Sequence, residues 1–84
     1  MNTLAVEYHA QAQNIMCTES ELIVELVDGR KISAPLVWFP RLAKASQEEL
    51  NHWELLGDGE GIHWPNLDED LSVNGLLVGA RTNN

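Results

Sequence analysis

The chain has a single cysteine, Cys17, so no internal disulfide can staple it. The simplest compartment for such a sequence is a reducing cytoplasm. Basic residues are scarce: five Lys and Arg stand against thirteen Asp and Glu, for a net charge of −8. A surface of that sign repels phosphate backbones, so direct nucleic-acid binding is not expected. Apolar runs are short, the longest being the four residues Leu36 to Phe39. That excludes a transmembrane helix and the apolar core of a signal peptide, and no membrane partner is expected. No internal repeat or low-complexity tract is present. Also missing are a nucleophile paired with its base, a complete metal-ligand set and a glycine-rich phosphate cradle. No cofactor is therefore expected, and catalysis is disfavoured.

What the chain does have is enough apolar material for one small domain. Hydrophobic residues make up 44% of its 84 positions, an ordinary share for a globular protein. The expected domain is residues 1–84, with its core between about 5 and 79. A domain of this size buries only about 60–65% of the surface its unfolded chain exposes, so self-association would add stability.

Two aromatic-proline segments stand out, Pro35-Leu-Val-Trp-Phe-Pro-Arg-Leu42 and Gly61-Ile-His-Trp-Pro-Asn-Leu-Asp-Glu-Asp-Leu71. An indole near a residue of fixed φ makes a rigid edge, suited to packing or to holding a partner. The fold class that the pattern predicts is α+β: a small antiparallel β-sheet with a hairpin at Asp28-Gly29, and two short helices. Period-two alternation predicts a strand over Ala5–Ala12. Glu21 to Val27 and Arg30 to Pro35 read as strands joined by a two-residue turn at Asp28-Gly29. Leu22, Val24 and Leu26 then share a face, with Ile32 and Ala34 opposite. Ser46-Gln-Glu-Glu49 is a capping box and predicts a helix from Gln47 to about Leu55, facing Leu50 and Trp53 inward. Ile62 to Trp64 reads as extended. Ser72 caps a last helix over Val73–Val78.

The densest charge cluster is Asp68-Glu69-Asp70. It is expected just ahead of the last helix, where acids complement the N-terminal partial charge. The same acids can face a partner. A divalent-cation site is disfavoured, because the calcium-loop spacing is missing and adjacent side chains rarely converge on one ion. Arg41 is expected to pair with Asp68, Glu69 or Asp70 and so to tie the two aromatic-proline segments together. His9, His52 and His63 lack ligand spacing and read as surface or rim residues. Cys17 reads as a small buried hydrophobe. Trp53 is the expected core tryptophan, and Trp38 and Trp64 are left divided between core and interface.

The order Leu26-Val-Asp-Gly-Arg-Lys-Ile, Pro35-Leu-Val-Trp-Phe-Pro-Arg-Leu42, Ala45-Ser-Gln-Glu-Glu49, Trp53-Glu-Leu55, Gly61-Ile-His-Trp-Pro65 and Leu67-Asp-Glu-Asp-Leu71 resembles the small bacterial family called domain of unknown function 2442. The likeness runs from about residue 12 to 79. It departs at Leu50, where members often carry arginine. The resemblance implies a compact α+β domain with an antiparallel sheet and no assigned activity. It also implies a genetic setting like a toxin-antitoxin pair, beside another small uncharacterised protein. Some similar domains are fused to a helix-turn-helix module, which is not expected in these 84 residues.

The leading functional expectation is a non-enzymatic acidic interaction module, an antitoxin-like or adaptor partner of a small basic protein. Its partner-binding residues would be Trp38, Arg41, Trp64, Asp68, Glu69 and Asp70. One alternative is a small enzyme or metal-dependent hydrolase accessory using His63 and the Asp68–Asp70 acids. Another is a self-assembling structural domain, seen as a homodimer.

Overall fold

The computed structural model of the protein describes residues 10–79. These residues form a small α+β fold of two three-stranded antiparallel sheets and short helices. The first sheet has the order β1-β2-β3, from Ala12–Cys17, Glu21–Leu26 and Lys31–Pro35. A 3₁₀ turn (Leu36–Trp38) and two four-residue helices, α1 (Pro40–Ala43) and α2 (Gln47–Leu50), lead to the second sheet. That sheet is β4-β5-β6, from Glu54–Leu56, Gly61–Trp64 and Glu69–Ser72, and α3 (Val73–Leu77) is the last element among the described residues. Among the described residues no helix is long and apolar enough to cross a membrane.

The alternation in β2 predicts its face correctly. Leu22 pairs with Ala34 and Val24 with Ile32, and Leu22, Val24, Leu26 and Ala34 are all buried. The hairpin falls at Asp28-Gly29, but its loop has three residues rather than two. Leu26 N–H donates to the Arg30 carbonyl at 2.8 Å, and Gly29 N–H donates back to the Leu26 carbonyl at 3.0 Å. Only Gly29 takes a positive φ, +96°, the arrangement in which a left-handed glycine follows a tight turn. Asp28 holds the turn from outside: its Oδ1 accepts from Arg30 N–H at 3.0 Å and its Oδ2 from Arg30 Nε at 2.8 Å. Those contacts keep its carboxyl below the usual range, the backbone N–H contributing most.

The strand expected over Ala5–Ala12 lies largely outside the described residues, and β1 starts only at Ala12. Its register slips between Ala12 and Asn14, as when one extra residue bulges from a strand and changes the phase of the alternation. Ala12 and Ile15, three apart, are consequently both buried.

The capping box forms as the sequence predicts. Ser46 Oγ accepts from Glu49 N–H at 3.1 Å, and Glu49 Oε1 accepts from Ser46 N–H at 2.9 Å. The helix behind it ends at Leu50, however, not at Leu55. In a longer helix the Leu50 carbonyl would accept from the N–H of Glu54. Instead it accepts from Trp64 Nε1 at 3.1 Å, while Glu54, Leu55 and Leu56 pair with His63, Ile62 and Gly61. A helix start this short is costly to propagate, and cross-strand pairing wins the contested residues.

One continuous core joins the layers. Sheet residues Ile15, Leu22, Val24, Leu26, Ile62, Trp64 and Leu71 meet Leu36, Phe39, Leu42, Leu50, Val73 and Leu76 from the connecting segments. Trp64, not Trp53, is the core tryptophan: Trp64 is fully buried and Trp53 half-buried against the cluster. Cys17 also packs against the core, and burial pushes its thiol up to about 11. It therefore stays protonated, as a small hydrophobe rather than a nucleophile.

Candidate functional site

Pro40 opens α1 in its first turn, where a missing N–H costs nothing. Arg41 follows on the exposed side and reaches the loop between β5 and β6. Its Nη1 donates to the backbone carbonyl of Asp68 at 2.5 Å. The two aromatic-proline segments are thus joined where the sequence predicted, through a carbonyl where an ion pair had been expected. Asp68 presents that carbonyl from a left-handed conformation, φ +52°, which Asp tolerates better than most residues.

The three acids do precede α3, as expected, but none lies in its first turn. Glu69 and Asp70 belong to β6, paired across the sheet with Trp64 and His63. The first turn of α3 carries no acid, and Ser72 alone caps it, accepting from Gly75 N–H at 3.1 Å. Strand alternation also separates neighbouring side chains onto opposite faces. Asp68 and Asp70 are exposed, whereas Glu69 is buried beside Trp64 at 5% exposure. Asp70 Oδ1 and His63 Nδ1 form a close cross-strand contact. Among the described residues no three His, Cys, Asp or Glu side chains are placed to hold a metal.

Two of the residues expected to face a partner are therefore interior. Trp64 is filled into the core with its N–H satisfied, and Glu69 sits next to it. Trp38 is half-buried and meets Phe39 edge-on, with ring centroids 6.5 Å apart. Trp38, Arg41, Asp68 and Asp70 remain at the surface of this corner. Glu54 was missed by the sequence reading; it stands opposite His63, which stands opposite Asp70, making one row across the sheet. The helix expected through Glu54 hid that register.

Glu69 is the electrostatically unusual group. Its Oε2 has no hydrogen-bond partner among the described residues. Burial pushes its carboxyl above the usual range; the Arg41 guanidinium and the Asp70 N–H partly offset the push, and Asp68 and Asp70 add to it. A carboxylate raised by folding favours the folded state at low pH, and that favour is lost as pH rises through the folded pKa. Glu69→Gln is accordingly expected to be more stable than the parent at pH 7, by about 1 kcal/mol. The two urea midpoints should converge near pH 4. Arg41→Ala should show the reverse, losing about 1–2 kcal/mol at pH 7 and less in acid, where a protonated Glu69 no longer needs the cation. Parallel pH profiles for the parent and both variants would show Glu69 to be fully compensated.

Residues 14–82 match the family model described as a protein of unknown function (DUF2442). Among solved structures, a protein of unknown function from Rhodospirillum rubrum superposes with a TM-score of 0.78 at 32% identity, over 92% of this chain and 95% of the other. An uncharacterized protein from Chromobacterium violaceum shares the fold, with a TM-score of 0.74 at 24% identity over 87% of this chain and 69% of that one. No curated protein matches the chain significantly. The chain belongs to the DUF2442 family.

Proposed function

We propose that this DUF2442 member is a non-enzymatic interaction module of the cytoplasm that binds a small basic protein, as an antitoxin-like or adaptor partner. One observation carries the reading. Eight carboxylates and no Lys or Arg lie between Lys44 and Arg81. Glu48, Glu54, Asp58, Glu60, Asp68 and Asp70 among them are exposed. Such a field steers a basic partner and suppresses acidic ones. At the Arg41 corner, Asp68 and Asp70 supply the charge, and Trp38 supplies a half-buried ring. The antitoxin-like part of the reading rests on the genetic setting that the family resemblance implies.

Tagged protein purified from its native host should carry a small basic protein in stoichiometric amount. Asp68→Asn combined with Asp70→Asn should then slow association several-fold and flatten its salt dependence, because rim charges act mainly on the on-rate. Recovery of the chain alone, or an association indifferent to both salt and the double substitution, would refute the reading.

A further inference from the structure

The outer face of the second sheet carries a feature that its strand pairing creates. Leu56, Gly61 and Ser72 form one row across β4, β5 and β6. The centre of that row has no side chain of its own; Leu56 leans over it from β4, and a shallow open groove remains, lined by Leu56, Gly61, Asp70 and Ser72 among others. Adjacent strands lie about 4.8 Å apart, so the flanking strands stand roughly 10 Å from each other, room for one extended side chain between them. The open groove measures about 480 Å³. Along β5 it runs from Glu60 at one end to the His63–Asp70 pair at the other. Its apolar wall is Leu56, 41% exposed, whose Cβ lies 3.3 Å from where a Cβ on Gly61 would sit.

We infer that this groove takes a lysine or arginine side chain from an extended basic segment of a partner protein. An aliphatic stem lies along Leu56 where it covers Gly61, and the cationic head reaches the acids at the groove's ends. Long basic side chains divide in this way between an apolar body and a charged tip. A purely apolar occupant would take water from Asp70 and Glu60 without offering them a charge. An acidic one would meet like charge from end to end. The inference deepens the basic-partner reading and rests on it, but it assigns the contact to the second sheet rather than to the Arg41 corner.

The test is a titration of isotope-labelled full-length protein with a capped hexalysine peptide, read by amide shifts. Shifts should concentrate on Leu56, Gly61, Asp70 and Ser72. Gly61→Val meets Leu56 and pushes it into the groove, and should weaken the apparent affinity at least about tenfold, while Asp70→Asn weakens it several-fold. Asp58→Asn, an exposed acid outside the groove, should change it little. Gly61→Ala is the second, smaller plug, useful if valine disturbs the sheet, since its methyl group meets Leu56 Cβ at 3.3 Å and needs a shift of only a few tenths of an ångström. Shifts spread over all exposed acids and unchanged by either plug would overturn the groove and leave the acidic-module reading standing. So would a basic protein from the native host that still binds both plugged variants. Concentration-dependent shifts at the same residues without peptide would assign the groove to a second copy of the chain and overturn the inference. Localised hexalysine shifts with no basic partner in the host would uphold the groove and sink the broader reading.

Discussion

Gly59→Ala is expected to cost at least about 3 kcal/mol, or about 12–24 °C in melting temperature for a domain of this size. Gly59 lies in the β4–β5 turn with φ +90°, and its carbonyl accepts from Ala12 N–H at 2.7 Å. That bond joins the start of the first sheet to the hairpin of the second. A Cβ on Gly59 would stand 2.4 Å from the Ala12 carbonyl oxygen and 3.0 Å from the Ala12 nitrogen. Both obstacles are backbone, so neither can rotate away, and a positive φ adds strain of about 1 kcal/mol for any L side chain. The total stability of an 84-residue chain is only about 4–12 kcal/mol, so the variant should lose at least about a quarter of it. Gly29→Ala is the matched control: its φ is +96°, yet nothing lies within 4 Å of the added atom. Equal losses in the two variants, measured by thermal or urea unfolding, would show that the junction between the sheets contributes nothing.

Trp64→Ala should be comparably severe, at about 3–5 kcal/mol, because the largest fully buried side chain leaves a cavity that its neighbours cannot close. The milder Trp64→Phe separates two causes. It keeps most of the ring volume but removes the donor to the Leu50 carbonyl, an acceptor that the shortened helix leaves without its usual partner. The expected loss is about 2–3 kcal/mol, part cavity and part unsatisfied carbonyl. Trp53→Phe, at a half-buried position, should cost under about 1 kcal/mol. A urea midpoint for Trp64→Phe no lower than that of Trp53→Phe would mean that the indole bond does not decide where α2 ends.

These expectations mark where local sequence stops being informative. Ser46 and Glu49 satisfy each other's backbone groups three residues apart, so the capping box is complete in the string itself. The turn at Asp28-Gly29 is local too, and the alternation of Leu22, Val24 and Leu26 runs through a six-residue strand, long enough to declare its face. The same reasoning extended α2 too far, since periodicity has no term for an indole fourteen residues away taking the Leu50 carbonyl. It gave Asp68 to Asp70 the task of complementing the helix that follows them, whereas pairing with β5 drew Glu69 and Asp70 into a strand.

By itself, then, the sequence determined the antiparallel α+β class, the first hairpin, the helix caps, the family and an acidic second half with no base between Lys44 and Arg81. Tertiary structure alone decided that Trp64 and Glu69 are interior, that Arg41 grips a carbonyl, that Gly59 joins two sheets and that Gly61 stands in one row with Leu56 and Ser72. The physical reason is register. Caps and turns are fixed by atoms within three or four residues, but the faces of three- and four-residue strands are fixed by partners brought from elsewhere in the chain, and strands that short carry too little alternation to announce which way they point.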